Sequence, residues 1–180
     1  MRINDAPGRL ELVREFLNTW EISNDTREPV DRLDELARSP ARWRALLDCP
    51  PPRSASERDE LIELRDELRR MIARGSPNAE RLNRWVARFG IQPRLSKGNL
   101  VHQGRDGRLG GLIVAATVDA IVAGQWPRLK ACADCEWVFY DWTRNGSRRW
   151  CGMNAEGPKG RACGSIDKVR RYRQRQLRSR

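Results

Sequence analysis

The stretch CADCEWVFYDWTRNGSRRWC, residues 132–151, decides how the last third of this chain folds. It opens on Cys132-Ala-Asp-Cys135, two thiols spaced so that both can grip one ion from a tight turn. A lone pair of this kind also suits a redox site. Here Cys151 closes the stretch and Cys163 follows, giving C-x2-C-x15-C-x11-C. Four thiolates fill the tetrahedral shell of zinc with no open position, so the expected site, Cys132, Cys135, Cys151 and Cys163, holds one structural Zn2+. A module of about 45 residues is too small to fold reliably on core burial alone, and a bound metal supplies the difference.

Trp137-Val138-Phe139-Tyr140 is aromatic and β-prone, Asn145-Gly146 is a turn signal, and Arg148-Arg149-Trp150 leads back to Cys151. This predicts a hairpin that returns the third cysteine to the metal. After Cys163-Gly164, Ser165 reads as an N-cap, and the chain to Leu177 has good helix formers with no Gly or Pro. At helical spacing Ile166, Val169 and Leu177 share one side, flanked by Tyr172, while Lys168, Arg171, Arg175 and Arg178 share the other. The apolar side is expected to pack on the finger, and the cationic side to follow phosphates or enter a major groove. Arg170 and Arg173 on the helix, and Arg144, Arg148 and Arg149 on the hairpin, complete the expected DNA-binding set.

Charge points the same way. Residues 128–180 carry 14 Lys/Arg against 5 Asp/Glu, a net of +9, whereas the first 127 carry 21 against 19. A basic end on a near-neutral body suits a phosphate-bearing partner. No run reaches the roughly 20 apolar residues of a membrane span, and MRINDAPGRLELVREF has no signal-peptide core. A cytoplasmic location is expected, and there clustered cysteines favour a metal over disulfides.

The residues before the finger read as a helical bundle. Leu10, Val13, Leu17 and Trp20 predict a helix over 5–22, followed by a turn at SNDTREP and a short helix at 30–37. Ser39-Pro40 predicts a helix start, and Cys49-Pro50-Pro51-Pro52 its end. Ser54 and Glu57 form a capping box ahead of a long helix with an apolar stripe from Leu61 to Ile72, closed by Gly75. A further helix is expected from Ser76-Pro77 to Gly90, then a hairpin with Lys97-Gly98 at its turn. His102, the single histidine, reads as a half-buried strand residue. Gly110-Gly111 then precedes the apolar helix LIVAATVDAIVAG. The fold class expected is mainly α, an N-terminal helical bundle with a small β-hairpin (1–126), then a treble-clef or zinc-ribbon-like finger ending in a basic helix (127–180).

RLKACADCEWVFYDWTRNGSRRWCGM resembles the CGNR zinc-finger family, whose pattern runs C-x2-C, an aromatic strand, D-x-S/T-R-N-x-S-R-R-W-C-S-M, then C-G-N-R. EFLNTWEISNDTREPVDRL resembles the opening of the ABATE domain, with its F-x-N-T element, which commonly precedes this finger. The resemblance covers nearly the whole chain. It implies zinc at the four cysteines and a bacterial, stress-induced transcription regulator with DNA as partner. Two departures stand out. The inserted loop, 154–162, lengthens the spacing of the last two cysteines by about seven residues, and a flexible loop enlarges a chelate ring at little entropic cost. The name motif becomes Cys163-Gly164-Ser165-Ile166, without its Asn and Arg.

The function expected is a zinc-dependent DNA-binding transcription regulator, its N-terminal domain sensing a small-molecule effector or mediating assembly, including a homodimer. The alternative is a protein-interaction or enzyme-accessory module whose zinc is purely structural. An enzyme is the least supported class. The chain has one histidine and shows no paired-carboxylate motif, nucleophile with base, or phosphate-cradling glycine loop.

Overall fold

The computed structural model describes residues 4–155 and 160–178, with the side chain of Arg178 outside that description. The elements in order are α1 (Leu10–Leu17), β1 (Trp20–Ile22), β2 (Pro29–Asp31), α2 (Leu33–Ala37), α3 (Pro40–Leu47), α4 (Ala55–Arg74), α5 (Ala79–Arg88), β3 (Gln92–Ser96), β4 (Asn99–Gln103), α6 (Leu109–Val122), a 3-10 turn at Trp126–Arg128, β5 (Leu129–Ala131), β6 (Val138–Tyr140) and α7 (Cys163–Arg178). The strands form three antiparallel pairs, β1–β2, β3–β4 and β5–β6. The architecture is mainly α with a small C-terminal cysteine finger, as expected. No described helix is long and apolar enough to cross a membrane.

The core forms where the apolar stripes meet. Leu61, Leu64, Leu68 and Met71 of α4 pack with Val13, Phe16 and Leu17 of α1 and Ile113 and Val114 of α6. α6 is apolar on nearly every side, so neighbours cover most of it. Ser54 Oγ accepts the Glu57 N–H at 3.2 Å. The Glu57 carboxylate reaches the Arg53 N–H at 2.8 Å, closing the capping box one residue further back than the standard pattern. Lys97 and Gly98 turn β3 into β4 with φ of 49° and 78°, the primed-turn geometry that matches strand twist.

Several expected boundaries move, each for a visible reason. The first helix stops at Leu17, because Asn18 and Thr19 point their side chains at tertiary partners and Trp20 joins β1. SNDTREP is therefore the loop of a β1–β2 hairpin with Trp20 opposite Asp31, and the next helix starts at Leu33 rather than Val30. The helix after Gly75 starts at Ala79, not at Ser76-Pro77, because Asn78 Oδ1 caps the Arg81 N–H at 2.9 Å. Gly110 and Gly111 lie inside α6 rather than ahead of it. A Cβ at Gly110 would stand 2.4 Å from the Phe89 ring, so glycine lets α5's end press against α6. Ser165 is not an N-cap, since α7 already begins at Cys163.

The hairpin β5–β6 joins the main core rather than standing apart. Trp126, Leu129, Val138 and Tyr140 belong to the same buried cluster as α1, α4 and α6. Phe139, on the opposite face of β6, packs with the four cysteines.

Candidate metal centre and nucleic-acid interface

The loop between β5 and β6 is the metal knuckle. Cys132 N–H donates to Trp137 O at 2.9 Å and Glu136 N–H to Cys132 O at 2.9 Å, which folds Cys132 and Cys135 onto one side of the turn. β6 thus pairs with the strand before it. The expected partner, residues 148–150, returns as irregular chain held by Ala133 N–H on Arg149 O at 3.0 Å. Cys163 comes from the first turn of α7.

All four Sγ atoms are buried and lie within 4.8 Å of one another. Cys135 and Cys151 are 3.6 Å apart, and Cys151 and Cys163 3.7 Å. A tetrahedron with Zn–S bonds of about 2.3 Å has edges of about 3.8 Å, whereas a disulfide needs about 2.05 Å. Hydrogen bonds from Cys135 and Cys151 pull the Cys132 thiol far down. The same pairing pushes Cys151 far up, and burial pushes Cys163 up. Four buried thiolates cannot coexist without a compensating cation. A closed four-thiolate set is the donor chemistry of structural zinc, and the chain holds one such ion on Cys132, Cys135, Cys151 and Cys163.

Two carboxylates brace this centre, and neither stood out in the sequence. Asp141, fully buried, sits just after β6. Its Oδ1 accepts the Thr143 N–H at 3.0 Å and the Thr143 hydroxyl at 2.6 Å, and its Oδ2 accepts Arg148 N–H and Lys130 Nζ, each at 2.9 Å. Burial alone would raise its pKa, but these bonds outweigh burial and lower it to about 2. The local signal was D-x-T, an Asx turn in which the side chain replaces a backbone turn. Asp134, between the first two cysteines, takes Arg161 Nε at 2.6 Å and stands 3.6 Å from both Arg27 and Arg170. It ties together the β1–β2 loop, the inserted loop and α7. Residues 156–159 of that insertion lie outside the described residues.

The nine expected DNA-facing cations divide. Arg148 is turned inward: its Nε donates to Trp150 O at 2.8 Å, its Nη2 to Asn4 Oδ1 at 2.6 Å and to Cys151 O, and it covers the Phe139 ring at 4.8 Å. That arginine holds the finger closed, which removes it from the outward set. Arg144 and Arg149 are exposed, as are Lys168, Arg170, Arg171, Arg173 and Arg175 on α7. Arg171 pairs with Asp167 at 2.8 Å. Arg178 closes α7, its side chain outside the described residues.

The apolar side of α7 does not pack on the finger, contrary to expectation. Val169 is 50% exposed, Tyr172 64% and Leu177 74%. Only the first turn, from Cys163 to about Ile166, is held. There Gly164 N–H donates to Gly152 O at 3.0 Å and Ser165 Oγ to Met153 O at 2.7 Å. Ser165, in place of the family's Asn, thus anchors the loop after Cys151.

Residues 10–124 match the family model ABATE, described as "Putative stress-induced transcription regulator", and residues 128–176 match the CGNR zinc finger. The chain belongs to the ABATE family. Its CGNR finger follows in the expected order. No curated protein matches the chain.

The F-x-N-T element of the ABATE part is the joint to the CGNR finger. Buried Asn18 donates from Nδ2 to Val138 O at 2.9 Å and accepts the Val138 N–H on Oδ1 at 2.8 Å, standing in for a neighbouring strand. Thr19 Oγ1 accepts Arg65 Nη1 at 3.2 Å, and Arg65 grips Asp31 with two bonds of 2.7 and 2.6 Å. Arg69 bonds Leu17 O at 2.9 Å and Glu136 O at 3.0 Å, linking α1, α4 and the knuckle. Burial lowers its pKa to about 10. Further along β6, Tyr140 N–H donates to Asn4 O at 3.1 Å and Trp142 Nε1 to Asp5 O at 2.8 Å. Side-chain partners this far apart in sequence leave no periodic trace, so periodicity and motif spacing do not reveal them.

Proposed function

We propose that this chain is a zinc-dependent DNA-binding transcription regulator working in the cytoplasm. The zinc centre fixes the base of α7, and the exposed turns of α7 contact DNA. The observation that carries this reading is the helix itself. From Lys168 to Arg175 it offers five cations on exposed turns, and its last acid is Asp167. A helix with side chains is about 10–12 Å across, and the major groove of B-DNA is about 12 Å wide. Burial of α7 from several sides at once is what insertion in a groove supplies. Val169 and Tyr172 would then meet apolar base edges such as thymine methyls, while the arginines and Lys168 meet phosphates. Arg144 and Arg149 add charge at the base of the helix. We assign residues 1–126, the ABATE part, to effector sensing or homodimer assembly, and residues 127–180 to DNA contact.

The test is a gel shift of zinc-loaded protein against genomic fragments over a salt series. Binding should weaken steeply with salt, because each neutralised phosphate releases counterions. Absence of any binding at low salt, or an affinity indifferent to salt, sinks the reading.

One observation favours a second reading, a protein-interaction module. Val169, Tyr172 and Leu177 form an exposed apolar side that a protein groove could cover. Pull-down with the wild type and with a K168A/R171A/R175A variant separates the two. A partner retained by the variant, together with weak DNA binding by the wild type, selects the second.

A further inference from the structure

We propose that the DNA-contacting surface runs from α7 across Trp150 and Arg149 onto α4 of the ABATE part, where Arg70 and Arg74 grip the phosphate backbone beside the segment that α7 reads. This rests on the DNA-binding reading above.

Where α4 packs on β5, two grooves flank the seam. One, of about 350 Å³, is lined by Arg74, Lys130, Arg148 and Arg149. The other, of about 450 Å³, is lined by Arg69, Arg70 and Glu136. They share Ile72, Ala73, Ala131 and Ala133, so they are adjoining parts of one shallow trough. Three of its cations are occupied: Arg69 by Glu136 at 3.6 Å, Lys130 by Asp141, and Arg148 by Trp150 O and Asn4. Among the described residues, Arg70, Arg74 and Arg149 have no carboxylate partner.

Many ABATE arginines are matched, as Arg81 is by Glu67 at 2.8 Å, Arg88 by Glu60 at 2.5 Å and Arg58 by Asp34 at 3.1 Å. Among the described residues Arg44, Arg94 and Arg105 also have no carboxylate partner, but unlike Arg70 and Arg74 they do not line this trough. A cation in the last turn of a helix suits the helix dipole, which accounts for Arg74 in part. Arg70, one turn earlier on the same face, has no such reason. The floor between them is made of small side chains, Ala131 of β5 and Ala133 of the knuckle, beside Ile72 and Ala73 of α4.

The trough connects to α7 through one ring. The Arg149 guanidinium lies 5.5 Å from the Trp150 centroid, and that of Arg171 lies 5.9 Å from the same ring. Arg70, Arg74, Arg149 and Arg171 therefore form one cationic path from the ABATE body to the cationic side of the helix. A single polyanion long enough to fill the surroundings of α7 also reaches the trough. This gives the ABATE part a direct hand in binding, and it places any movement of α4 relative to β5 within the contact surface.

The experiment is fluorescence anisotropy of a labelled mixed-sequence duplex, titrated with full-length zinc-loaded protein over a salt series. Wild type, R70A/R74A and K168A/R171A/R175A are compared, with melting curves to confirm that each folds. For R70A/R74A the plot of log affinity against log salt should be shallower by about 1.8, at about 0.9 for each phosphate no longer neutralised. The α7 variant should lose most of its binding. If R70A/R74A keeps the wild-type slope while the α7 variant loses binding, the extension is overturned and α7 alone binds DNA. If the wild type does not bind the duplex at all, both readings fall. If R70A/R74A binds duplex normally but loses binding to labelled poly-glutamate, the trough serves an acidic protein and the proposal is overturned.

Discussion

The strand β6 and the helix α7 belong to the same small finger, yet they could hardly be treated more differently. Val138, Phe139 and Tyr140 are all buried, with one face in the main core and the other against the cysteines. From Lys168 onward, α7 exposes every described side chain, apolar ones included. The hairpin end of the finger is part of the body, and the helix end is presented by it. Amphipathicity in a helix says that something apolar is to be covered. It does not say that this chain covers it.

The contrast can be attacked first at the metal. Cys151→Ser or Cys163→Ser should reduce zinc from one ion per chain to none, read by metal analysis of the purified protein. Structural zinc contributes on the order of 10–16 kcal/mol of apparent binding free energy in isolated fingers, so the hairpin and the base of α7 should lose fixed structure together. Near-UV circular dichroism from Trp137, Trp142 and Trp150 should collapse. Zinc retained at full occupancy in both variants would mean the ligand set is wrong.

The next largest effect should come from Asn18→Ala. It leaves the buried N–H and C=O of Val138 unpaired, at about 1–3 kcal/mol for each group. Urea unfolding should show a lower midpoint, with zinc content unchanged in the folded protein. A variant as stable as wild type would show that the finger is not bonded to the body through this joint.

Asp141 gives a smaller effect with a sign. Its folded pKa is lowered to about 2, against about 3.9 when unfolded. Its contribution, on the order of 2 kcal/mol, is thus fully present above about pH 4 and lost as the pH falls through about 2. The gap in stability between wild type and Asp141→Asn should therefore be constant near neutrality and close between about pH 4 and pH 2. The gap is the right quantity to follow, because acid also protonates the thiolates and releases metal. A gap that widens on acidification contradicts the geometry around Asp141.

The smallest effect belongs to α7. V169S/L177S should change the melting temperature by no more than its error, within about 0.5 kcal/mol, as for surface positions in general. A clear destabilisation would mean that the apolar side is packed after all.

What could be read in advance follows the range of the interaction. The zinc set was legible because C-x2-C-x15-C-x11-C is a pattern of ligand chemistry, and so was the Lys97-Gly98 turn, where the backbone must adopt positive φ. The capping of α4 by Ser54 was legible for the same local reason. The β1–β2 hairpin was hidden because Trp20 continues the stripe of Leu10, Val13 and Leu17, and only the distant partners of Asn18 and Thr19 break the helix. Gly110-Gly111 read as a helix boundary because the ring they accommodate, Phe89, lies on another element. Among the arginines of RNGSRR, Arg148 and Arg149 are adjacent and chemically identical. One clamps Trp150, Cys151 and Asn4 and the other faces outward, and no composition or periodicity separates them.

A two-stranded sheet ordinarily offers an open edge onto which a foreign strand can zip. In this chain the outer side of β6 is already taken. Asn18 occupies both backbone groups of Val138, and the Asn4 carbonyl takes the N–H of Tyr140. One amide side chain and the backbone of residue 4 serve as a dummy strand, so the finger cannot template aggregation or recruit a partner by strand addition along β6.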